Sequence, residues 1–272
     1  LPYCETMMSY YMQYDRDGLL YDDTEDLHLV DWPRNPYDFT DGYEYTLERG
    51  KTTGTHNVAN IFYICGLKSM DEIYDILGLK RKYDTQRTID AYLNAFYDKE
   101  KRLFTDTIES DHTALHSNIL PLYFGVAPKE SIPEIINMIE EKKLNCGVYI
   151  SYFLLKALCK NNRHDLAFDL ITSDERFSWG TMLKQGATTC FEVWDKDYKW
   201  NTSLCHPWAS APIPLLIEDF LGIEPLKPGW DGFRSNSQCT EKLGDFECIF
   251  HVNGYRIKVI EDGKGDIHLS RI

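Results

Sequence analysis

Apolar residues recur at helical spacing through most of this chain and change to strict alternation only near its end. "NVANIFYICGLKSMDEIYDILG" places Val58, Ile61, Phe62, Cys65, Met70, Ile73 and Leu77 on one helical stripe and stops at Gly78. Similar patterns predict an amphipathic helix at the very start, one over about 85–97, and one from near His112 toward Phe124. "SIPEIINMIEEKKL" adds a helix with a capping box, Ser131 and Glu134, and Pro133 in the first turn, where its missing N–H costs nothing. "GVYISYFLLKALCK", "HDLAFDLITSD" and "HPWASAPIPLLIEDFLG" continue the series, the last ending on Gly222. About eight helices joined by short and long connections in turn predict stacked helical hairpins rather than a bundle.

Past Gly222 the pattern changes. Phe246, Cys248, Phe250 and Val252 alternate, Asn253-Gly254 supplies a hairpin turn, and Tyr255, Ile257 and Val259 alternate again. "DIHLSRI" reads as a third strand. The chain therefore divides into a helical region, 1–222, and a small antiparallel β unit, 223–272. Between the first two helices, residues 15–56 carry no periodicity but are rich in Tyr, Trp and Phe. That composition opposes disorder and predicts an ordered loop lining a site.

A chain of 272 residues can bury roughly three quarters of the surface its unfolded form exposes, enough for a large core. Its formal net charge of -14 repels a phosphate backbone, and no Lys/Arg cluster offsets this, so nucleic acid is not an expected partner. No run of ~18 apolar residues is available to span a membrane, and the first residues lack the pattern of a signal peptide. The compartment stays open. Eight cysteines are scattered without metal-ligand spacing; only Cys239 and Cys248 are placed for a bridge, and none is expected. An acidic chain with 14% aromatic residues suits neutral polar ligands, since rings cover the C–H faces of a sugar while carboxylates accept its hydroxyls. A tyrosine-rich helical core explains the same composition.

The sharpest local feature is "GATTCFEVWD", which sets Glu192 between Phe191 and Trp194. Partial desolvation there is expected to raise its pKa toward the range of a general acid or base, with Asp195 and Asp197 as charge partners. The following "YKWNTSLCHPWASAP" supplies Trp200, His206 and Trp208 nearby, in the manner of a carbohydrate subsite. His112 and His116, four apart in "HTALH", have the one-face spacing of a metal pair, but no Glu follows the first His and no third ligand is evident. "DERFSWG", from Asp174, reads as a helix end and a solvated loop.

Taken together, "DWP" with its Tyr/Asp-rich loop, "HNVANIFYICGL", "LHSNILPLYFGVAP", "SWGTMLKQGATTCFEVWD" and "SLCHPWASAPIPLL" resemble the C-terminal part of a bacterial α-L-rhamnosidase. The matches run in order over nearly the whole chain, and the "WGxMLxxGATTxxExWD" element is the most specific. The resemblance implies a mostly α fold of (α/α)6-barrel type followed by a small β domain. It implies inverting hydrolysis of terminal α-L-rhamnosides without cofactor or metal, and Glu192 as general base. Asp31, Trp32, His116, Trp194 and His206 would line the sugar subsite, and the partner would be a rhamnose-containing glycoside or polysaccharide. The family's general acid lies in a "DERxGWxGD" segment upstream of "DWP"; "DERFSWG" is misplaced for it, so Asp174 and Glu175 are not assigned that role. Eight helices of the twelve in six hairpins also point to part of such an enzyme, and an incomplete ring of helices predicts a homodimer. Two other readings stay open: a carbohydrate-binding module derived from such an enzyme, and another (α/α)-barrel hydrolase or lyase. Against substrates with an acidic sugar stands the absence of an Arg/Lys cluster beside Glu192.

Overall fold

The computed structural model describes residues 1–21, 30–31, 42–43, 54–238, 240–252, 254–261 and 267–272. Trp32, Cys239 and most of the loop over 15–56 lie outside these residues. Within them, nine α-helices precede a small antiparallel sheet. They are α1 (Pro2–Met12), α2 (Asn57–Ile76), α3 (Thr85–Phe96), α4 (Leu115–Tyr123), α5 (Ile132–Lys142), α6 (Ser151–Lys160), α7 (His164–Thr172), α8 (Trp179–Lys184) and α9 (Pro212–Leu215). The helix absent from the periodicity is α8, too short to show a repeat. The long helix expected at "HPWASAPIPLLIEDFLG" is broken into a 3-10 turn at Pro207–Ala209, then α9, then a π-helical turn at Leu216–Phe220. Three prolines in that stretch remove backbone donors and explain the interruption.

The helices form two layers. Helices α2, α4, α6 and α9 pack on one another in succession, while α1, α3, α5 and α7 pack against them. Most of the apolar core lies between the layers, with Ile61, Ile64, Tyr92, Phe96, Leu115, Ile119, Leu154 and Leu158 essentially sealed from solvent. On α2 the expected Val58, Ile61 and Met70 are buried and are joined by Tyr63, Leu67 and Tyr74, whereas Phe62 and Leu77 are exposed. The expected capping box at α5 does not form, because Ser131 Oγ donates to the Pro128 carbonyl instead.

Three buried asparagines join the inner helices to the connections at their ends. Asn60 exchanges hydrogen bonds with the backbone of Leu20 in the hairpin β1–β2 (Asp15–Arg16, Leu19–Leu20). Asn118 does the same with Phe104 in the hairpin β3–β4 (Tyr97–Asp98, Leu103–Phe104). Asn57 receives the Tyr92 hydroxyl and donates to the carbonyls of Thr105 and Ser117. The last bond has a clear cause. Pro121 inside α4 offers no N–H to the Ser117 carbonyl four residues earlier, and the Asn57 amide takes its place at 3.3 Å.

Helix α4 starts at Leu115, three residues later than the periodicity suggests, because Asp106 anchors its first turn. This fully buried carboxylate accepts the Ala114 N–H at 2.9 Å and the Ser117 hydroxyl at 2.5 Å, and meets His112 Nδ1 at 2.8 Å. A negative charge at a helix N-terminus also suits the helix dipole. His112 consequently sits outside the helix, with its imidazole on Asp106.

After Phe220 the chain reverses at Gly222 (φ +58°), where a Cβ would fall 2.1 Å from the Asn236 carbonyl oxygen. A short pair, β5–β6 (Glu224–Pro225, Phe233–Arg234), leads to a sheet ordered β7–β8–β9 (Phe246–Val252, Tyr255–Glu261, Ile267–Arg271). Val252 pairs with Tyr255 at the end of the β7–β8 hairpin. Val252, Ile257 and Val259 pack on Leu221 and Ile223 as a separate apolar cluster. Cys248 is a free thiol. Among the described residues, no helix is long and apolar enough to cross a membrane.

Asp106→Ala removes the acceptor that the start of α4 is built around and leaves buried donors unpaired. We expect a loss of about 3–5 kcal/mol in urea unfolding; a loss under about 1 kcal/mol would show that this anchor is dispensable.

Candidate active site

Beyond α8 the chain is irregular, so Glu192 is placed by hydrogen bonds rather than by helix geometry. Its N–H donates to the Ser203 carbonyl at 2.9 Å, and its own carbonyl accepts Trp208 Nε1 at 3.1 Å. The carboxylate receives Lys199 Nζ on Oε1 at 2.7 Å and the Ser203 N–H on Oε2 at 3.0 Å. Phe191 and Trp194 on either side are buried, and Glu192 itself is only 8% exposed. Burial pushes its carboxyl up, but the Lys199 and Ser203 hydrogen bonds and the charges of Lys199 and His206 outweigh it. The net result is a pKa below the ordinary glutamate value, the reverse of the expectation drawn from its aromatic neighbours. The charge partner is Lys199, while Asp195 is engaged in a turn with the Asp197 N–H.

A second part of the site forms around Asp31. Asp31 Oδ2 accepts His116 Nε2 at 2.5 Å and the Gly147 N–H at 2.6 Å. His116 projects from the first turn of α4 and is buried, so the pair is largely screened from water. Its Nδ1 has no hydrogen-bond partner among the described residues. Gly147 cannot be replaced without disturbance: a Cβ there would lie 1.9 Å from Asp31 Oδ1.

The turn over residues 146–149 connects the two parts. The Cys146 carbonyl accepts Trp194 Nε1 at 2.6 Å, and the Tyr149 hydroxyl donates to the Val30 carbonyl, next to Asp31. The Tyr149 ring stacks on Trp208 with centroids 5.3 Å apart, and His206 lies 4.3 Å from the same indole. His206 is in turn fixed by its N–H on the Cys190 carbonyl. Trp194 stands edge-on to Trp179 at 4.9 Å and is fully packed, so it forms a wall of the site. Asp31, His116, Glu192, Trp194 and His206 thus belong to one connected network. Trp200 does not join it and is 96% exposed.

Gly147, Tyr149, Lys199 and Ser203 were not evident in the sequence. Residues 147–150 form the turn that leads into α6, with the Ser151 N–H on the Gly147 carbonyl, and the Gly147 N–H, lying ahead of the helix with no helical partner, goes to Asp31. The usable signal was a glycine ahead of a helix that starts only at Ser151. Trp208 shares the site fully, through its indole N–H and its ring contacts with Tyr149 and His206. "DERFSWG" is a surface turn: Asp174 pairs with Lys184, Glu175 with Lys143, and Ser178 caps α8 through the Thr181 N–H. Among the described residues, no group of three or more His, Cys, Asp or Glu side chains is placed to hold a metal ion.

Chemically, an ionised carboxylate on a rigid support, beside an imidazole and stacked rings, can accept a proton from a water held over a sugar. Residues 1–219 match the family described as the bacterial alpha-L-rhamnosidase 6 hairpin glycosidase domain. The chain belongs to this family of six-hairpin glycosidases. An alpha-L-rhamnosidase from Alteromonas sp. (strain LOR) is 25% identical over 179 residues, 61% of this chain and 19% of that protein. The Streptomyces avermitilis alpha-L-rhamnosidase solved with L-rhamnose superposes over 99% of this chain and 26% of its own, with TM-score 0.73 and 15% identity. The Aspergillus terreus enzyme superposes over 98% of this chain and 32% of its own, with TM-score 0.74 and 19% identity. The fold is therefore of (α/α)6-barrel type, and the chain spans about a fifth of the curated relative and a third or less of these structures.

Gly147→Ala is predicted to displace the Asp31 carboxylate from His116 while the helices remain. The His116 Nε2–H resonance in 1H–15N NMR should shift or disappear; an unchanged resonance would contradict the clamp.

Proposed function

We propose that this chain carries the general base of an inverting α-L-rhamnosidase. The observation that carries the reading is the carboxylate of Glu192, buried yet held ionised by Lys199 and Ser203 within the family's domain. In this reading Glu192 takes a proton from a water as the water oxygen bonds to the anomeric carbon. The glycosidic C–O bond breaks on the opposite face, and a second carboxyl group protonates the leaving oxygen. Inversion requires that group about 6.5–9.5 Å from the base. The family pattern places it upstream of Asp31, and we assign it to no residue of this chain.

Asp31 and His206 offer polar contacts to the sugar hydroxyls in this proposal, and Trp32 offers a ring face. Trp194 acts as a packed wall and His116 as the partner of Asp31. The Tyr149–Trp208–His206 stack gives the subsite its apolar side. We also carry forward the division into a catalytic helical part, 1–222, and an accessory β part, 223–272.

The test is hydrolysis of an aryl α-L-rhamnoside by the full chain, since an aryl leaving group needs little protonation. Glu192→Gln should lower turnover by about 10²-fold or more. Equal turnover by the two proteins would remove Glu192 from the chemistry. Rhamnoside binding by both without turnover by either would favour a carbohydrate-binding module instead.

A further inference from the structure

We propose that Lys199 is a positioning residue for this reaction, clamping the Glu192 carboxylate against Ser203 and setting its affinity for a proton. The proposal rests on the reading of Glu192 as the base. One turn delivers both donors: Thr202 returns to the Lys199 carbonyl through its N–H and its hydroxyl, and Ser203 follows. Lys199 then reaches Oε1 and the Ser203 N–H reaches Oε2, so the carboxylate is held at both oxygens and cannot rotate freely. Each carboxylate oxygen has two lone-pair sites, so one on each remains for a water.

The pair is mostly buried, with side-chain exposures of 20% for Lys199 and 11% for Glu192, and charges attract more strongly there than in bulk water. Among the described residues, Lys199 and His206 are the leading charged or titratable groups that favour the ionised form of Glu192. A neutral donor at position 199 would orient the carboxylate equally well. The ammonium adds a consequence that a neutral donor lacks: it keeps Glu192 anionic further into the acid range. It also makes the base weaker, so the residue exchanges basicity for availability. The sign follows directly. Removing the cation raises the proton affinity of Glu192 and moves the acid limb of activity to higher pH.

The experiment is a 13C NMR titration of the Glu192 carboxylate in the full chain, assigned with Glu192→Gln and paired with pH profiles of kcat/KM on an aryl α-L-rhamnoside. Lys199→Met should move the midpoint and the acid limb upward by about one pH unit or more. Lys199→Arg should return both toward the wild-type position. Lys199→Gln covers the case in which the methionine variant fails to fold, and should show the same upward displacement. A midpoint unchanged in both neutral variants overturns the proposal, even if stability or rate falls. A displaced midpoint with turnover that survives Glu192→Gln upholds the clamp and refutes the base assignment, so the two failures are distinguishable.

Discussion

The site depends on one hydrogen bond, from the Gly147 N–H to Asp31. It forms because Gly147 lies just ahead of α6, where its N–H has no helical partner, and because glycine leaves no side chain between the backbone and the carboxylate. The turn thereby holds Asp31 against His116 on one side. On the other it holds Trp194 through the Cys146 carbonyl and Trp208 through the Tyr149 ring. Trp208 reaches the Glu192 carbonyl. A loop acid, an inner-helix histidine and the proposed base are therefore parts of one structure, although 161 positions separate Asp31 from Glu192 in the numbering (192 − 31).

The two carboxylates are managed differently. Asp31 is hydrogen-bonded from two elements, a histidine on α4 and a backbone amide ahead of α6. Glu192 is held by a single turn of its own irregular segment, with a cation on one oxygen and an amide on the other. Both arrangements satisfy a carboxylate that would be costly to bury unpaired. Buried asparagines on the inner helices do corresponding work for backbone groups, holding the hairpins in place with hydrogen bonds that water cannot reach.

Much of this was legible in the sequence, and the parts that were not have physical reasons. Helical spacing revealed the long helices and alternation revealed the hairpin, because each exposes a repeated pattern. Helix α8 is too short to repeat, and the turn at Gly147 was absorbed into the apolar run that follows it. Within the α2 stripe Val58, Ile61 and Met70 are buried as expected, but Phe62 packs edge-on against Phe124 and Phe153 near the surface instead of in the core. Glu192 stood out from its motif, but the direction of its pKa shift did not. That direction depends on Lys199, and pairing across an irregular segment leaves no periodic trace. Trp200 and Trp208 share a sequence neighbourhood, yet one faces solvent and the other supports Glu192.

The most direct test of the central claim is the anomeric configuration of the first sugar released. With the full chain acting on an aryl α-L-rhamnoside, 1H NMR should show β-L-rhamnose first, with the α anomer growing in by mutarotation, as direct attack by a Glu192-activated water requires. Initial release of the α anomer would mean retention, and would contradict the role assigned to Glu192.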